Sequence, residues 1–278
     1  MIGIFDSGIG GLTVTKEVLK ILPECQILYL GDTARMPYGN RSQELIYRFT
    51  EQAVDYLFKQ GCELIILACN TASAEALRKI QQEWLPKNYP GKRVLGVIRP
   101  VVEQAIKISR FGRIGVVGTR ATINSGAYER ELKAQNPSAF AKASADKEIK
   151  VFPQACPLIV PLVEEGWLKR PETMKILRGY LRPLKNQKID TLILGCTHYP
   201  ILLKQFQSAA GAKVKVFNPA EVVAEKLKDY LARHPEIEKK LIKSNNHRFL
   251  VTDLTEKFQQ NAEAWLGQRI KLEKVDLG

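Results

Sequence analysis

The sequence predicts an α/β protein built from two similar domains, and two patterns lead to this fold class. Apolar runs of about five residues alternate with longer amphipathic stretches, which is typical of a parallel sheet covered by helices on both faces. Two of the apolar runs also recur later in the chain, in the same order. With 278 residues, of which 45% are hydrophobic, the chain is long enough to bury a large core.

Short apolar runs mark the predicted strands. They cover residues 2–5, 26–30, 64–68, 93–97, 114–117, 192–194 and 213–217. Amphipathic patterns between them predict helices, of which the clearest cover residues 43–60, 72–84 and 171–184. Because strands and helices alternate, the sequence predicts mostly parallel sheets flanked by helices.

The repeat defines two domains. Residues 2–8 (IGIFDSG) are echoed by residues 114–120 (IGVVGTR), and residues 64–71 (LIILACNT) by residues 191–198 (TLILGCTH). We therefore predict one domain from residues 1–97 plus 211–278 and a second from residues 98–210, with the active site in the cleft between them. The predicted strand at 213–217 belongs to the first domain in this division.

The net charge of +13 attracts anions in general, including nucleic acids and acidic metabolites. The chain has no arginine-rich arm and no recognised nucleic-acid motif, so a solvated basic surface is favoured over a dedicated nucleic-acid site. No run approaches the roughly 20 apolar residues that span a bilayer, and no basic leader precedes an apolar run at the start. We expect a soluble, cytoplasmic protein that has no membrane partner and does not require nucleic acid.

The cysteines suggest neither disulfides nor a metal site. They number five, their spacing is irregular, and no Cys-x-x-Cys pair occurs. Each could be an ordinary buried thiol. Two of them, however, follow matching strands of the repeat: Cys69 after residues 64–68 and Cys196 after residues 192–195.

These two positions suit chemistry because ligands of parallel sheets bind beyond the carboxyl ends of the strands. Asn70 and Thr71 are predicted to cap a helix that begins near Ala72. A thiol near a helix N-terminus is favoured as thiolate by the helix dipole. Two thiols in matching places would face each other across the cleft.

Opposed thiols suit racemisation, because one base removes the proton from Cα and an acid on the opposite face returns one. The ordinary cysteine pKa of about 8.5 allows one thiol to ionise while the other stays protonated. Asp6 could assist Cys69, and His198 could assist Cys196. The residues alone leave open that both thiols are structural.

Two loops are less specific. Residues 6–11 (DSGIGG) look like a phosphate-binding loop but lack the full Gly-x-Gly-x-x-Gly spacing, and no Lys-Ser/Thr follows. A dinucleotide site is therefore the less favoured interpretation. Residues 37–39 (PYG) could form a loop that closes over a substrate, or an ordinary surface turn.

Five motifs together resemble the glutamate racemase family. They are FDSGIGG at 5–11, GD at 31–32 with PYG at 37–39, ACNTA at 68–72, GT at 118–119 with Thr122 and SG at 125–126, and GCTHYP at 195–200. The matches run in order over about residues 2–220. The pairing of Cys-Asn-Thr with Gly-Cys-Thr-His is highly specific.

The resemblance implies two pseudo-symmetric α/β domains and racemisation of glutamate without pyridoxal phosphate, metal or another cofactor, supplying D-glutamate for peptidoglycan. It implies that Cys69 takes the proton from D-glutamate and Cys196 from L-glutamate, with Asp6 and His198 assisting. Glu164 matches an accessory carboxylate, although its neighbour Glu165 leaves the register open. The segments that match substrate contacts contain Asp6, Ser7, Tyr38, Gly39, Asn70, Thr71, Thr119, Thr122, Thr197 and His198. A homodimer is an open possibility.

Several alternatives and departures accompany the resemblance. Aspartate racemases usually carry Glu after Gly-Cys-Thr, where this chain has His198, so glutamate is the favoured substrate. A related decarboxylase needs only one of the two cysteines. Some glutamate racemases are associated with inhibition of DNA gyrase, but nothing local in this chain indicates it. Arg99 stands where relatives often have an acidic residue, and the Ala/Ser/Lys-rich residues 136–150 form an expected exposed insertion without an assigned function.

Overall fold

The protein is described by a computed structural model that covers residues 1–135 and 148–277. Most of the predicted insertion at 136–150 lies outside the described residues. The described chain contains two parallel sheets with helices packed around them, which confirms the α/β class. Among these residues, no helix combines the length and apolar character that crossing a membrane requires.

The strands are short and mostly buried. They are β1 (Ile2–Asp6), β2 (Ile27–Gly31), β3 (Leu64–Leu67), β4 (Arg93–Gly96), β5 (Arg113–Gly118), β6 (Lys150–Ala155), β7 (Thr191–Gly195), β8 (Lys215–Val216), β9 (Arg248–Val251) and β10 (Leu272–Lys274).

Helices connect most of the strands. They are α1 (Leu12–Ile21), α2 (Gln43–Lys59), α3 (Asn70–Glu75), α4 (Leu77–Lys79), α5 (Leu85–Asn88), α6 (Ile98–Ile108), α7 (Arg120–Asn124), α8 (Ala127–Gln135), α9 (Ile159–Glu164), α10 (Pro171–Asn186), α11 (Leu203–Ala210), α12 (Pro219–Arg233), α13 (Pro235–Glu238) and α14 (Glu256–Leu266). Short 3-10 turns cover Tyr38–Asn40 and Tyr199–Leu202, and a π-helical turn covers Ile80–Trp84.

The two sheets share one strand order, which confirms the repeat. The first sheet runs β10-β9-β2-β1-β3-β4 and the second runs β6-β5-β7-β8. Thus β2-β1-β3-β4 matches β6-β5-β7-β8, with β1 equivalent to β5 and β3 equivalent to β7. All of these neighbours pair in parallel.

The strand predicted at 213–217 was assigned to the wrong sheet. The observed β8 pairs with β7, with Leu192 opposite Val216, and so belongs to the second sheet. The repeat explains why: β8 occupies the place beside β7 that β4 occupies beside β3. A strand–helix–strand connection returns to a neighbouring position in the same sheet, and α11 makes that connection here. The second unit therefore extends beyond residue 210.

Three strands lack a clear sequence signal. β6 contains Pro153 and β10 has three residues, and both lie at sheet edges, where short or proline-containing strands are tolerated. β9 has four residues and is recognisable mainly from its partners. The helix predicted over 72–84 starts earlier, at Asn70, and is interrupted at Ala76. Its last part, Ile80–Trp84, is the π-helical turn.

Helix packing joins the two halves of the chain. α12 follows β8 and packs on α1 of the first unit and α6 of the second. α3 of the first unit contacts α7 and α8 of the second. These contacts bring the carboxyl ends of β1 and β3 close to those of β5 and β7.

Candidate active site

A polar or thiol side chain lies at the end of each central strand or within two residues after it. Asp6 is the last residue of β1, Cys69 lies two residues after β3, Thr119 follows β5, and Cys196 follows β7. All four side chains lie at the edge of the sheets where parallel strands bind ligands.

Cys69 caps α3 and is buried, with 5% of its surface exposed. Its Sγ accepts a hydrogen bond from the Ala72 amide at 3.5 Å and lies 3.3 Å from Ser7 Oγ. The predicted capping by Asn70 and Thr71 is wrong, because the helix begins at Asn70. Burial and the charge of Asp6 raise the pKa of Cys69 to about 12, so the free protein holds a neutral thiol here.

Cys196 begins a chain of three interacting groups. Its Sγ lies 3.9 Å from His198 Nδ1, and His198 Nε2 lies 3.0 Å from Glu164 Oε1. Burial alone lowers the pKa of His198, but the hydrogen bonds and charges of Cys196 and Glu164 outweigh burial and raise it to about 10. A protonated imidazole therefore stands beside the Cys196 sulfur at neutral pH. Unlike Cys69, Cys196 precedes a 3-10 turn rather than an α-helix.

The structure resolves which of two neighbouring glutamates meets His198. Glu164 ends α9 and contacts the imidazole, and Asn261 Nδ2 donates to its backbone carbonyl at 3.0 Å. Glu165 is exposed and points toward Lys257 Nζ at 3.9 Å. Of the two neighbouring glutamates, Glu164 is thus the one that contacts His198.

Asp6 connects the two cysteine sites. Its Oδ2 accepts the Gly8 amide at 3.0 Å, and its Oδ1 accepts Thr197 Oγ1 at 3.3 Å. Complete burial raises the pKa of Asp6, while the charge of His198 and hydrogen bonds from Gly11, Gly8 and Thr197 oppose that rise. This carboxylate is a stronger proton acceptor than an exposed aspartate.

The glycine-rich loop packs against the second cysteine site. A Cβ at Gly10 would lie 2.5 Å from both His198 Nδ1 and Thr197 Oγ1. A Cβ at Gly11 would lie 2.5 Å from Asp6 Cβ. The two glycines therefore allow the loop to approach protein side chains, which accounts for the motif without a bound phosphate.

Three threonine hydroxyls form a cluster between the two units. Thr71 Oγ1 lies 3.0 Å from Thr119 Oγ1 and 3.1 Å from Thr122 Oγ1, and the last two are 3.0 Å apart. Thr119 also caps α7 by accepting the Thr122 amide at 3.3 Å. Thr71, two residues after Cys69, links this cluster to the first cysteine site.

The loop at 37–39 reaches the same cluster. Gly39 packs so closely on Thr119 that an added Cβ would lie 2.6 Å from Thr119 Cβ. Tyr38 is fully buried and its hydroxyl donates to Asp32. Because Tyr38 is buried against Phe5 and Phe49 of its own unit and Gly39 packs on Thr119 of the opposite unit, this segment is not an ordinary surface turn.

Several residues that touch the site carried little or no signal in the sequence. Asp32 lies in a quoted motif, but its role as the partner of Tyr38 emerges only in the structure. Tyr128 donates to Asn70 Oδ1 at 2.6 Å and continues the three-residue spacing of Thr119, Thr122 and Ser125, which could have indicated it. Asn261 and Trp265, whose ring meets His198 edge-on at 5.3 Å, lie in α14, where no motif points to them.

Two further findings concern Arg99 and metal binding. Arg99 is exposed on α6 and pairs with Glu103 at 3.2 Å and with Glu131 of α8 at 4.0 Å, so it links two helices at the surface. Over the described ranges 1–135 and 148–277, no group of three or more His, Cys, Asp or Glu side chains could hold a metal ion.

Comparison with known proteins identifies the family of this chain. The model of the Asp/Glu/Hydantoin racemase family matches residues 2–227. The chain belongs to this family. A glutamate racemase of Chlorobaculum parvum is 41% identical over 269 residues, covering 97% of this chain and 93% of the relative. One of Aquifex pyrophilus is 46% identical over 230 residues, covering 83% of each.

Solved structures of family members share the whole fold. A glutamate racemase isoform from Bacillus anthracis superposes with a TM-score of 0.88 at 36% identity, over 100% of this chain and 97% of the other. The Francisella tularensis glutamate racemase in complex with D-glutamate gives 0.86 at 35% identity, over 99% and 97%. These similarities confirm the family resemblance that the motifs indicated. The protein is therefore a racemase, which is a type of isomerase.

Proposed function

We propose that this racemase interconverts L- and D-glutamate with Cys69 and Cys196 as two bases, without pyridoxal phosphate or a metal. The observation that carries the proposal is the placement of these thiols after equivalent strands, β3 and β7, of the two repeated units. The names of the relatives and the D-glutamate complex of the Francisella tularensis enzyme support glutamate as substrate.

In the proposed reaction, the Cys69 thiolate removes the Cα proton of D-glutamate, and the Cys196 thiol delivers its proton to the opposite face. The product is L-glutamate, and the reverse reaction exchanges the two roles. Because Cys69 is a neutral thiol in the free protein, its proton must leave before it acts as a base. The buried carboxylate of Asp6 is the acceptor suited to assist that step.

On the second side, His198 and Glu164 would assist Cys196. The protonated imidazole lies 3.9 Å from Cys196 Sγ and is held by Glu164 at 3.0 Å. This arrangement can return a proton to the sulfur after each transfer. The two cysteines thus rely on different helpers, a carboxylate on one side and an imidazole on the other.

Polar groups of the cleft would hold the carboxylates and the ammonium group of the substrate. The proposed contacts are Asp6, Ser7, Tyr38, Gly39, Asn70, Thr71, Thr119, Thr122, Thr197 and His198. The threonine cluster suits a carboxylate because its hydroxyls can all reorient to donate. Asp6 suits the substrate ammonium group because it is a buried acceptor.

The wider role follows from the same proposal. An enzyme that makes D-glutamate would act in the cytoplasm and supply peptidoglycan synthesis. Aspartate racemisation is the alternative, and His198 after Gly-Cys-Thr favours glutamate over it.

Circular dichroism of L-glutamate, and separately of L-aspartate, tests the proposal with dialysed, chelator-treated enzyme. We expect the glutamate signal to decay to zero while the aspartate signal persists. Decay of the aspartate signal alone would favour the alternative substrate. Activity that returned only with pyridoxal phosphate or a metal would overturn the two-thiol mechanism.

A further inference from the structure

Tyr128 contacts the residue that follows Cys69 and the residue that precedes Cys196. It lies in α8 of the second unit with 4% of its surface exposed, and its hydroxyl donates to Oδ1 of Asn70 at 2.6 Å. Asn70 directly follows Cys69. The ring of Tyr128 also lies against Gly195, directly before Cys196, where an added Cβ would lie 3.0 Å from Tyr128 Cε2.

The hydrogen bond fixes the orientation of the Asn70 carboxamide. Because Oδ1 faces the Tyr128 hydroxyl, Nδ2 faces away from it. Within the described residues this is the one hydrogen bond of the Asn70 side chain. Among the described residues, Arg35 Nη2 is the one completely buried side-chain N or O atom without a hydrogen-bond partner. Asn70 Nδ2 also has no such partner, so it is not completely buried.

Asn70 also lies close to the second cysteine. Asn70, Cys196 and Thr197 line one small cavity between the two units. Burial, and to a smaller extent the negative charge of a Cys196 thiolate, raise the pKa of Tyr128. The phenol therefore stays protonated and serves as a hydrogen-bond donor throughout the working pH range.

We propose that Tyr128 is a positioning residue, which aims the Asn70 amide at a carboxylate of the bound amino acid. The inference rests on the proposed function, because it assigns the ligand group that Asn70 Nδ2 would meet. Tyr128 itself need not touch the substrate. Its contribution is to hold one orientation of Asn70 before the substrate arrives.

Tyr128→Phe tests this role, because it keeps the ring against Gly195 and removes only the hydroxyl. An amide that binds ground state and transition state alike affects KM more than kcat. We expect KM to rise and kcat/KM to fall by about 5- to 20-fold, the loss typical of one buried hydrogen bond. The enantiomers have equal free energies in water, so kcat/KM must fall equally in both directions.

A double-mutant cycle with Asn70→Ala separates positioning from general stability. If Tyr128 acts through Asn70, Tyr128→Phe adds little loss of kcat/KM in the Asn70→Ala background. Tyr89→Phe is the matched control, because it removes a hydroxyl that donates to Asp55 at 2.7 Å, in another part of the protein. We expect it to leave KM unchanged even if Tm falls.

An unchanged KM in Tyr128→Phe would overturn the inference, and so would losses that multiply in the double variant. Thermal unfolding of each variant confirms that a folded protein is compared. The wild-type assay separates this result from the proposed function. If the wild type racemises glutamate but the losses in the cycle are additive, only the role of Tyr128 is overturned. Absence of wild-type racemisation overturns the function itself.

Discussion

Thr197 Oγ1 donates a 3.3 Å hydrogen bond to Oδ1 of Asp6, although 191 residues separate the two along the chain. Asp6 ends the central strand of the first sheet, and Thr197 directly follows Cys196 of the second. The two halves of the repeat therefore share one buried carboxylate at their junction. This contact gives the first cysteine site and the second a common polar centre.

Replacement of either proposed base by serine should nearly abolish racemisation, because a hydroxyl is a far weaker acid than a thiol. The remaining thiol should still exchange the Cα proton on its own side. Cys69→Ser should incorporate solvent deuterium into L-glutamate, and Cys196→Ser into D-glutamate, each without inversion. Proton NMR of the Cα signal in heavy water measures this. Equal exchange of both enantiomers by one single variant would contradict a dedicated thiol for each face.

The pKa of His198, raised to about 10, can be measured directly because the chain has 3 histidines. NMR titration should show one imidazole titrating near pH 10, and His198→Asn assigns it by removing that signal. Glu164→Gln removes a group that raises this pKa, so the midpoint should move down toward 6.5. An unmoved midpoint would show that Glu164 does not control the charge of His198.

The same shift predicts how stability depends on pH. The pKa of His198 is higher in the folded state than its ordinary 6.5, so proton binding favours the folded state. This contribution is complete below about pH 6.5 and disappears as the pH rises through about 10. Urea unfolding should therefore show the wild-type advantage over Glu164→Gln shrinking across that window. A constant difference would contradict the linkage.

Gly10→Ala should damage the site more than the fold. Its Cβ would lie 2.5 Å from His198 Nδ1 and Thr197 Oγ1, so one or both side chains must shift. We expect kcat/KM to fall by about 100-fold, as for a displacement of about 1 Å in a catalytic group. The loss of unfolding free energy should be about 1–3 kcal/mol, typical of overpacking.

Gly179→Ala is the matched control for that variant. Gly179 lies within α10, and a Cβ there meets no atom within 4 Å among the described residues. Alanine should raise stability by about 0.5–1 kcal/mol, because it lowers the backbone entropy lost on folding. Activity should not change. Equal activities of the two alanine variants would contradict the close packing of Gly10 on His198.

The remaining cysteines, Cys25, Cys62 and Cys156, are buried free thiols to which the proposed mechanism assigns no proton transfer. Serine at each should cost about 1–3 kcal/mol, because a hydroxyl is buried in place of a weakly polar thiol. Steady-state assays should show kcat/KM within about twofold of wild type. A tenfold loss in a folded variant would mean that one of these thiols takes part in the reaction.

The sequence alone determined the α/β class, the internal repeat and the positions of Cys69 and Cys196 after equivalent strands. These features are local: apolar runs bury themselves as strands, and residues that follow parallel strands reach one edge of a sheet. The family resemblance carried by the motifs has the same local origin. Five short segments were enough to indicate it.

Only the tertiary structure decided which distant groups meet. The structure shows that β8 pairs with β7 in the second sheet. The residues of a short strand do not specify its partner, because pairing depends on which strand has an unpaired edge nearby. The tertiary structure brought Tyr128 to Asn70 and Trp265 to His198, contacts between segments with no shared local pattern. It also set the pKa of His198, since burial and neighbouring charges arise only when the chain has folded.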